Sequence, residues 1–346
     1  MIVATGGGAG VVVFYPARRD LSEWRQRHAM GAAPDRWPYG LNRLDEFLSG
    51  VTARNLPDVS PVGRAARRVR ALVPPGRRPG GPVGVTWDEN AGALLSTTGS
   101  LSARYSGVVW LTDSVARRGE SPFRGMRRSM RRMDGLWVLS DAQTAPLTEF
   151  LGSGAPPVHY VRFGVDHDFF RHVTYPKRPL IVSVGGDRDR DPETLLRAMA
   201  ALRRARPDVE IVVQSKTSID PPDGVTVVPY LTHAELRDLY ARASVVTIAT
   251  RPNLHVSGMT VGLEALSTGR PLVITRTPGM DDYFGGTSAV RMVDVGDADG
   301  LARETLALLD DPASASAAGA AARAHVEGAF TTAHLARRIA DVIRSR

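Results

Sequence analysis

The chain has 346 residues, 43% of them hydrophobic, which is long enough for two domains that each bury a core. It contains no cysteine, which excludes disulfide bonds and thiolate chemistry, and no apolar run reaches the ~18 residues of a membrane-spanning helix. The amino end lacks the basic, apolar and cleavage-site pattern of a secretory signal, so we expect a cytoplasmic protein. The net charge is +8, and almost every positive side chain is an arginine.

Two segments, residues 64–78 and 117–132, are dense in arginine. A solvated surface would account for them, and so would a patch that contacts an anionic membrane or an anionic acceptor. A nucleic-acid patch is the third interpretation, but no zinc-finger spacing or aromatic-rich RNA-binding motif accompanies the arginines. We therefore expect no nucleic-acid partner. The other two interpretations stay open. In the second, the protein would lie peripherally at the inner face of the membrane.

The amino-terminal half alternates strands with helices. Apolar runs predict strands at residues 11–15, 83–87, 108–112 and 135–139. A first helix is predicted over 39–48, where Gly50 ends it, and an amphipathic helix runs to Phe150. Residues 163–170 form a turn-rich junction, which places the first domain at 1–170.

The carboxyl-terminal half alternates more regularly. Strands are predicted at 179–184, 209–214, 225–228, 245–249 and 271–275. Asp191 and Pro192 begin one helix, and Thr232 with Glu235 forms a capping box for another. This alternation predicts an α/β fold with a doubly wound parallel sheet over residues 171–328.

Residues 245–277 carry the most specific motif. A β-branched strand breaks at Pro252, and after a polar loop a helix with Glu264 ends at Gly269 before the next strand. Glu264-Ala-Leu-Ser-Thr-Gly-Arg-Pro resembles the nucleotide-sugar-binding motif of retaining glycosyltransferases with the GT-B fold, particularly family four. The motif of that family has another Glu eight residues earlier, where this chain has Val256.

The resemblance implies two Rossmann-like domains that face a central cleft. It also implies transfer of a sugar from a nucleoside-diphosphate sugar to a hydroxyl acceptor, with retention of anomeric configuration. The acceptor would be a natural product, a glycolipid or a polysaccharide precursor. In GT-B enzymes a terminal helix often crosses back to the amino-terminal domain. The apolar stripe within 329–346 would serve that purpose or pack on its own domain.

No cofactor beyond the sugar nucleotide is expected. Asp187, Asp189 and Asp191 alternate with arginines, a spacing that invites a metal site. An EF-hand loop requires Gly after the third Asp, but Pro192 follows Asp191 here. We therefore predict a metal-independent enzyme.

The resemblance assigns a donor site to the second domain. Arg188 and Arg190 take the place of the basic residues that hold the diphosphate, and Glu264 takes that of the ribose ligand. Backbone N–H groups at a helix start favour the diphosphate, and the sugar would contact His255 or Ser257 in place of the missing Glu. The full donor set is Arg188, Arg190, Gly258, Met259 and Thr260 for the diphosphate, Glu264 for the ribose, His255 and Ser257 for the sugar, and Tyr230 and Leu231 for the base.

The first domain should supply the acceptor site and the catalytic group. Asp113 stands where the family has a His at the end of a strand, and it would orient or deprotonate the acceptor hydroxyl or simply cap a helix. Asp88 is the second catalytic candidate, with Trp87 and Glu89 beside it on the acceptor side. Gly40 would begin a helix next to the acceptor.

Two other functions compete with this one. Because Val256 removes a sugar ligand, the chain could be a degenerate, non-catalytic sugar-nucleotide binder or partner protein. The arginine clusters suggest the other competitor, a nucleic-acid-binding protein.

Overall fold

The structure, a computed structural model, describes residues 10–57 and 76–345. These residues form two units, the first drawn from Met1–Ala29, Asp35–Arg162 and Leu335–Arg346, and the second from Met30–Pro34 and Phe163–His334. Most of the arginine-rich segment 64–78 lies outside the described residues. No helix in the described ranges is long and apolar enough to cross a membrane.

The first unit is built on a parallel sheet of order β2-β1-β3-β4-β5-β6. Its strands are β1 (Val11–Tyr15), β2 (Thr52–Asn55), β3 (Val83–Thr86), β4 (Ala103–Val108), β5 (Gly135–Val138) and β6 (Val158–Tyr160). Its helices are α1 (Leu21–Ala29), α2 (Glu89–Leu95), α3 (Leu111–Arg118), α4 (Arg124–Met130) and α5 (Thr144–Leu151), with 3₁₀ turns at Pro38–Glu46, Ser121–Phe123 and Asp141–Gln143.

Two predicted elements of this unit are wrong. The strand predicted at 108–112 is Ala103–Val108, which is buried throughout although it contains Arg104 and Ser106. Burial is tolerated because the Arg104 guanidinium donates to the Thr98 carbonyl at 2.8 Å, and so a buried charged group keeps a partner. The helix predicted over 39–48 is a 3₁₀ segment, in which Tyr39 and Gly40 have left-handed backbone angles.

The second unit contains a parallel sheet of order β12-β11-β10-β7-β8-β9. Its strands are β7 (Leu180–Val184), β8 (Glu210–Gln214), β9 (Val225–Val228), β10 (Val245–Ile248), β11 (Leu272–Thr275) and β12 (Val290–Val293). Its helices are α6 (Pro192–Ala205), α7 (His233–Arg242), α8 (Met259–Ser267), α9 (Asp281–Phe284), α10 (Ala298–Asp310) and α11 (Pro312–Ala329).

Counted from its own first strand, this sheet has the order 3-2-1-4-5-6 of a dinucleotide-binding fold. The apolar strand runs that predict it are buried, with no exposed surface on Ile181, Val245 and Val273. The predicted helix starts are also confirmed. Asp191 accepts a hydrogen bond from the Thr194 N–H, and Thr232 forms a capping box with Glu235. In such a sheet a ligand binds where the strand order reverses, which here is between β7 and β10.

The last helix, α12 (Thr332–Arg344), begins in the second unit, and its residues from Leu335 onward belong to the first. The predicted apolar stripe, which includes Leu335 and Ile339, is buried. The Tyr105 hydroxyl donates to the Ile343 carbonyl at 3.4 Å. The boundary between the units falls at Arg162, eight residues before the predicted one at 170.

Candidate functional site

Two loops meet at the point where the strand order of the second sheet reverses. Residues 185–191 follow β7, and residues 249–258 follow β10. The Asp191 N–H donates to the Ala249 carbonyl at 3.0 Å, and the Arg251 N–H donates to the Asp189 carbonyl at 2.8 Å. These bonds bring the predicted cationic loop against the loop that leads into α8.

Arg190 occupies the centre of this junction. Its guanidinium fills the space above Gly185 and Gly258, so that a Cβ at either glycine would collide with it. Within the described ranges, its buried Nε and Nη1 have no hydrogen-bond partner. Burial lowers the pKa of this arginine, and Asp187 and Glu264 oppose that shift. A cation with free donors in a sheltered position is well suited to bind an anion.

Arg188 lies in a different environment. Its side chain is 45% exposed, and its Nε is 3.5 Å from Asp189 Oδ2. The structure therefore separates the two predicted diphosphate ligands into one sheltered arginine and one at the surface.

His255 is buried between two carboxylates. Its Nε2 lies 3.0 Å from Asp187 Oδ2, and its Nδ1 lies 3.7 Å from Asp189 Oδ2. Burial of Asp187 favours its neutral form, but the His255 ring and the Arg190 charge hold the pKa of that carboxyl well below its usual range. One atom from each of Asp187, Asp189 and His255 lies within 4.8 Å of the others, a set that could hold a metal ion. The His255 ring, predicted to contact the sugar, instead faces protein carboxylates.

The start of α8 is open. Gly258, at the N-cap, has a φ of 99°, and no side chain caps the helix within the part of the chain that the structure describes. The Ser257 N–H is bonded to Asn253 Oδ1 at 2.9 Å, and the Met259 N–H to the Val256 carbonyl at 3.0 Å. The next N–H groups of the first turn, from Thr260 onward, are those that a helix leaves without an internal partner. Such a helix start attracts anions.

Val256 has a strained backbone. It is 1% exposed, and its φ of 51° is rare for a β-branched residue. Strain of this kind persists only where the surrounding structure enforces it, and it concentrates in ligand-binding segments.

Glu264 projects from α8 into the same interior. Its Oε2 accepts a hydrogen bond from the Tyr240 hydroxyl at 3.0 Å. Burial raises the pKa of Glu264 to about 8, although Tyr240 and Arg190 oppose the shift. The carboxyl therefore lies near the cation and can accept further hydrogen bonds through its second oxygen. Tyr230 and Leu231, predicted to contact a base, lie between β9 and α7, and Tyr230 is 64% exposed.

In the first unit, Asp88 and Glu89 are both engaged by backbone donors. Asp88 Oδ1 caps α2 by accepting from the N–H groups of Asn90 and Ala91 at 2.9 and 3.0 Å. The Glu89 carboxylate accepts from the N–H groups of Val109 and Trp110, also at 2.9 and 3.0 Å. Burial raises the pKa of Glu89 above its ordinary value, and these backbone donors offset part of that rise. Glu89 therefore fastens the segment that follows β4.

The remaining acceptor-side candidates fall into two groups. Trp87, at the end of β3, is stacked on the ring of Tyr39, which precedes Gly40. Asp113 is buried in the first turn of α3 and is not at a strand end, because β4 finishes at Val108. Asp113 is thus placed by a helix, and Trp87 and Asp88 by the loop after β3.

Three residues of the second unit were not assigned a role from the sequence. Tyr240 positions the Glu264 carboxyl, and Asn253 fixes the loop before α8. Arg270, with no exposed surface, donates to the carbonyls of Val173, Thr174, Tyr240 and Ala241. Its only sequence signal is its position between the Gly and the Pro of the motif.

Comparison with known proteins identifies the second unit. Residues 178–311 match the family Glycosyl transferases group 1. A GDP-mannose-dependent monoacylated alpha-(1-6)-phosphatidylinositol monomannoside mannosyltransferase of Corynebacterium glutamicum is 24% identical over 258 residues, which cover 66% of this chain and 67% of that protein.

Solved structures share the whole fold. Sucrose-phosphate synthase from Thermosynechococcus elongatus superposes with a TM-score of 0.68 at 16% identity, over 97% of this chain and 98% of that one. Anabaena HepE, solved in complex with UDP and glucose, gives 0.67 at 14% identity, over 97% and 99%. The predicted fold and enzyme class are thus confirmed: the chain is a GT-B glycosyltransferase, and residues 178–311 of its second unit match the glycosyl transferases group 1.

Proposed function

We propose that the chain transfers a sugar from a nucleoside-diphosphate sugar to a hydroxyl acceptor with retention of anomeric configuration. The observation that carries the proposal is Arg190, a sheltered cation whose Nε and Nη1 find no partner among the described residues. It lies at the edge of the sheet where a 3-2-1-4-5-6 fold binds its ligand. A diphosphate would supply the missing acceptors.

The nucleotide would be held from two sides. The diphosphate would accept hydrogen bonds from Arg190 and from the backbone of the Gly258–Thr260 segment at the start of α8, with Arg188 adding charge from the surface. The ribose hydroxyls would bind Glu264, which Tyr240 orients. As the donor bond breaks, negative charge grows on the departing diphosphate. Preorganised donors stabilise that charge most strongly in a site that excludes water.

The sugar end would differ from the family pattern. The chain has Val256 in place of the first motif Glu, and the His255 ring is held by two carboxylates. We therefore assign the sugar contact to Ser257. The base would stack on Tyr230, with Leu231 beside it.

The acceptor would be bound by the first unit. Between the two catalytic candidates, Asp88 is favoured because its Oδ1 alone accepts both capping bonds. Its Oδ2 has no hydrogen-bond partner in the described ranges and could take the acceptor proton. Asp113 is the second candidate.

The relatives differ in the nucleotide for which they are named or with which they were solved, so they leave the base of the donor undecided. The mannosyltransferase is named for GDP-mannose, and HepE was solved with UDP and glucose. We further propose that transfer needs no metal, because Arg190 and the helix start supply the positive charge. Arginines of α3 and α4, including Arg117, Arg118, Arg124 and Arg128, are exposed and would suit an anionic membrane or acceptor surface.

A thermal-shift panel tests the donor site. UDP, GDP and dTDP would be compared with the matching monophosphates, because a ligand that binds only the folded state raises the Tm. We expect one diphosphate to raise it clearly and its monophosphate to raise it less. The matching sugar nucleotide should be hydrolysed slowly, and EDTA should leave that rate unchanged.

Each outcome separates the competing functions. No shift with any nucleoside diphosphate would overturn the donor site, and binding without any turnover would favour a non-catalytic binder. Loss of turnover in EDTA would overturn the metal-independent proposal, and Asp187, Asp189 and His255 are one set of residues that could hold the ion. Tight DNA binding that is lost at high salt would favour the nucleic-acid function, and sedimentation with anionic vesicles would support the membrane contact.

A further inference from the structure

Three side chains of the first unit form a stack. The Arg19 guanidinium carbon lies 4.7 Å from the centre of the Tyr39 ring. The rings of Tyr39 and Trp87 are 4.1 Å apart and inclined by 16°. Arg19 belongs to the loop after β1, and Trp87 follows β3, so the stack stands at the carboxyl edge of the sheet. The strand order of this sheet reverses between β1 and β3, and ligands bind at the carboxyl edge beside such a reversal.

Tyr39, the middle residue of the stack, has an unfavourable backbone conformation. Tyr39 has φ 63° and ψ 16°, and Gly40 follows with φ 66°. A left-handed conformation is unfavourable for a non-glycine residue. The segment is anchored because the Tyr15 hydroxyl donates to the Pro38 carbonyl at 2.9 Å, and the Trp37 N–H to Asn42 Oδ1 at 3.0 Å. Strain maintained in this way at a strand edge indicates a binding segment.

The Tyr39 ring already contacts both the Arg19 guanidinium and the Trp87 ring. The effect of the stack is to fix Arg19. A guanidinium that lies on an aromatic face keeps its N–H groups in the ring-parallel plane, where they can bind an anion. No carboxylate of the described residues forms an ion pair with Arg19. Arg36 shows the contrast, because it lies over Trp37 and is also paired with Asp45 at 3.3 Å.

We propose that Arg19 binds the anionic group, a phosphate or a carboxylate, of the acceptor. Asp88 is the next residue after Trp87, so the anion subsite would adjoin the carboxylate that takes the acceptor proton. The aromatic stack holds the guanidinium in place before the acceptor arrives. This assignment rests on the proposed glycosyl transfer, because it describes the acceptor half of the same reaction.

The test is an NMR titration of the full chain with two anions, inorganic phosphate and acetate. The protein is saturated beforehand with the nucleoside diphosphate that raises its Tm most. The indole N–H signal of Trp87, assigned by its loss in Trp87→Phe, reports on the stack. In the unaltered protein we expect one of the two anions to move this signal with a dissociation constant in the millimolar range. The anion that binds more tightly gives the chemical class of the acceptor group.

Variants make the outcome specific. Arg19→Gln should weaken the anion at least 10-fold, in keeping with the loss of charge-assisted hydrogen bonds. Tyr39→Asn tolerates the left-handed backbone but removes the stack, and should weaken it at least threefold. Arg36→Gln, a stacked arginine with a carboxylate partner, should change nothing.

The inference is overturned if neither anion moves the Trp87 signal below ~100 mM, or if Arg19→Gln binds as tightly as the unaltered chain. Its failure is distinguishable from failure of the donor site, because the nucleotide-induced rise in Tm should be the same in Arg19→Gln and the unaltered chain. A protein that binds no nucleotide would instead show no rise in either, and the titration could still be carried out without nucleotide.

Discussion

The two sheet edges of this enzyme differ in the hydrogen bonding of their charged residues. In the second unit, Arg190 keeps its Nε and Nη1 without a partner in the described ranges, and the start of α8 is left uncapped by side chains. In the first unit, Asp88 and Glu89 accept hydrogen bonds from four backbone N–H groups. Both edges place charged residues at strand ends. What differs is how much of each group the protein itself satisfies: Glu89 is engaged through both oxygens, but Asp88 only through Oδ1, which leaves its Oδ2 for a ligand.

The largest expected effect distinguishes the helix-capping role of Asp88 from its proposed catalytic role. Asp88→Asn keeps a side-chain oxygen for the helix cap, so the Tm should move little. If Asp88 takes the acceptor proton, kcat should fall by about 100-fold or more. Steady-state kinetics with a transferable acceptor measures this, and Asp113→Asn is the matched variant. Equal kcat for Asp88→Asn and the unaltered enzyme would leave Asp88 a cap only and move the catalytic proposal to Asp113.

The next effect tests the unsatisfied cation. Arg190→Gln should weaken nucleoside-diphosphate binding by about 10- to 100-fold, the range for charge-assisted hydrogen bonds. The free protein should not lose stability, because a buried charge without a hydrogen-bonded partner is costly. Calorimetric titration and urea unfolding measure the two quantities. Arg188→Gln, at the exposed neighbour, should cost at most a few-fold in affinity, and a larger loss there than at Arg190 would reverse the assignment.

The last prediction compares the two buried glutamates. The pKa of Glu264 is raised to about 8 from an ordinary 4.5, so the folded state retains a proton that the unfolded state loses. Stability should therefore fall as the pH rises from about 5 to 8, by at most about 1.4 kcal/mol per pH unit. Glu264→Gln removes this slope. Urea unfolding between pH 5.5 and 8.5 would show it.

Glu89→Gln is the control in the other unit. An amide offers only one acceptor oxygen to the N–H groups of Val109 and Trp110, so this variant should be less stable than the unaltered chain. A flat difference between Glu264→Gln and the unaltered chain over this pH range would show that Glu264 is ionised throughout.

The sequence predicts the second unit better than the first for a physical reason. Strands buried on both faces, such as Val245–Ile248, are continuous apolar runs, and helix caps such as Asp191 act locally. Strand β4 was misplaced because Arg104 and Ser106 interrupt its apolar pattern, although the fold buries both of them.

The same limit applies to the site. Arg190 and Glu264 were each proposed from a short local pattern, the loop after one strand and the motif that begins at Glu264. The pairing of His255 with Asp187 and the stack of Arg19, Tyr39 and Trp87 join segments that are far apart. Residue type alone suggested a sugar contact for His255, and only the fold shows which partners the ring already has.

The course of the terminal helix has a consequence for biosynthesis. Leu335, Ala336, Ile339 and Ala340 have no exposed surface, and they belong to the first unit although they follow the second unit in the chain. A ribosome releases the strands of the first sheet long before it makes these residues. The amino-terminal unit therefore cannot complete its core until the second unit has been synthesised. Cutting the chain at residue 163 would thus yield an amino-terminal fragment with an open apolar surface, so the two halves cannot be exchanged between enzymes as simple blocks.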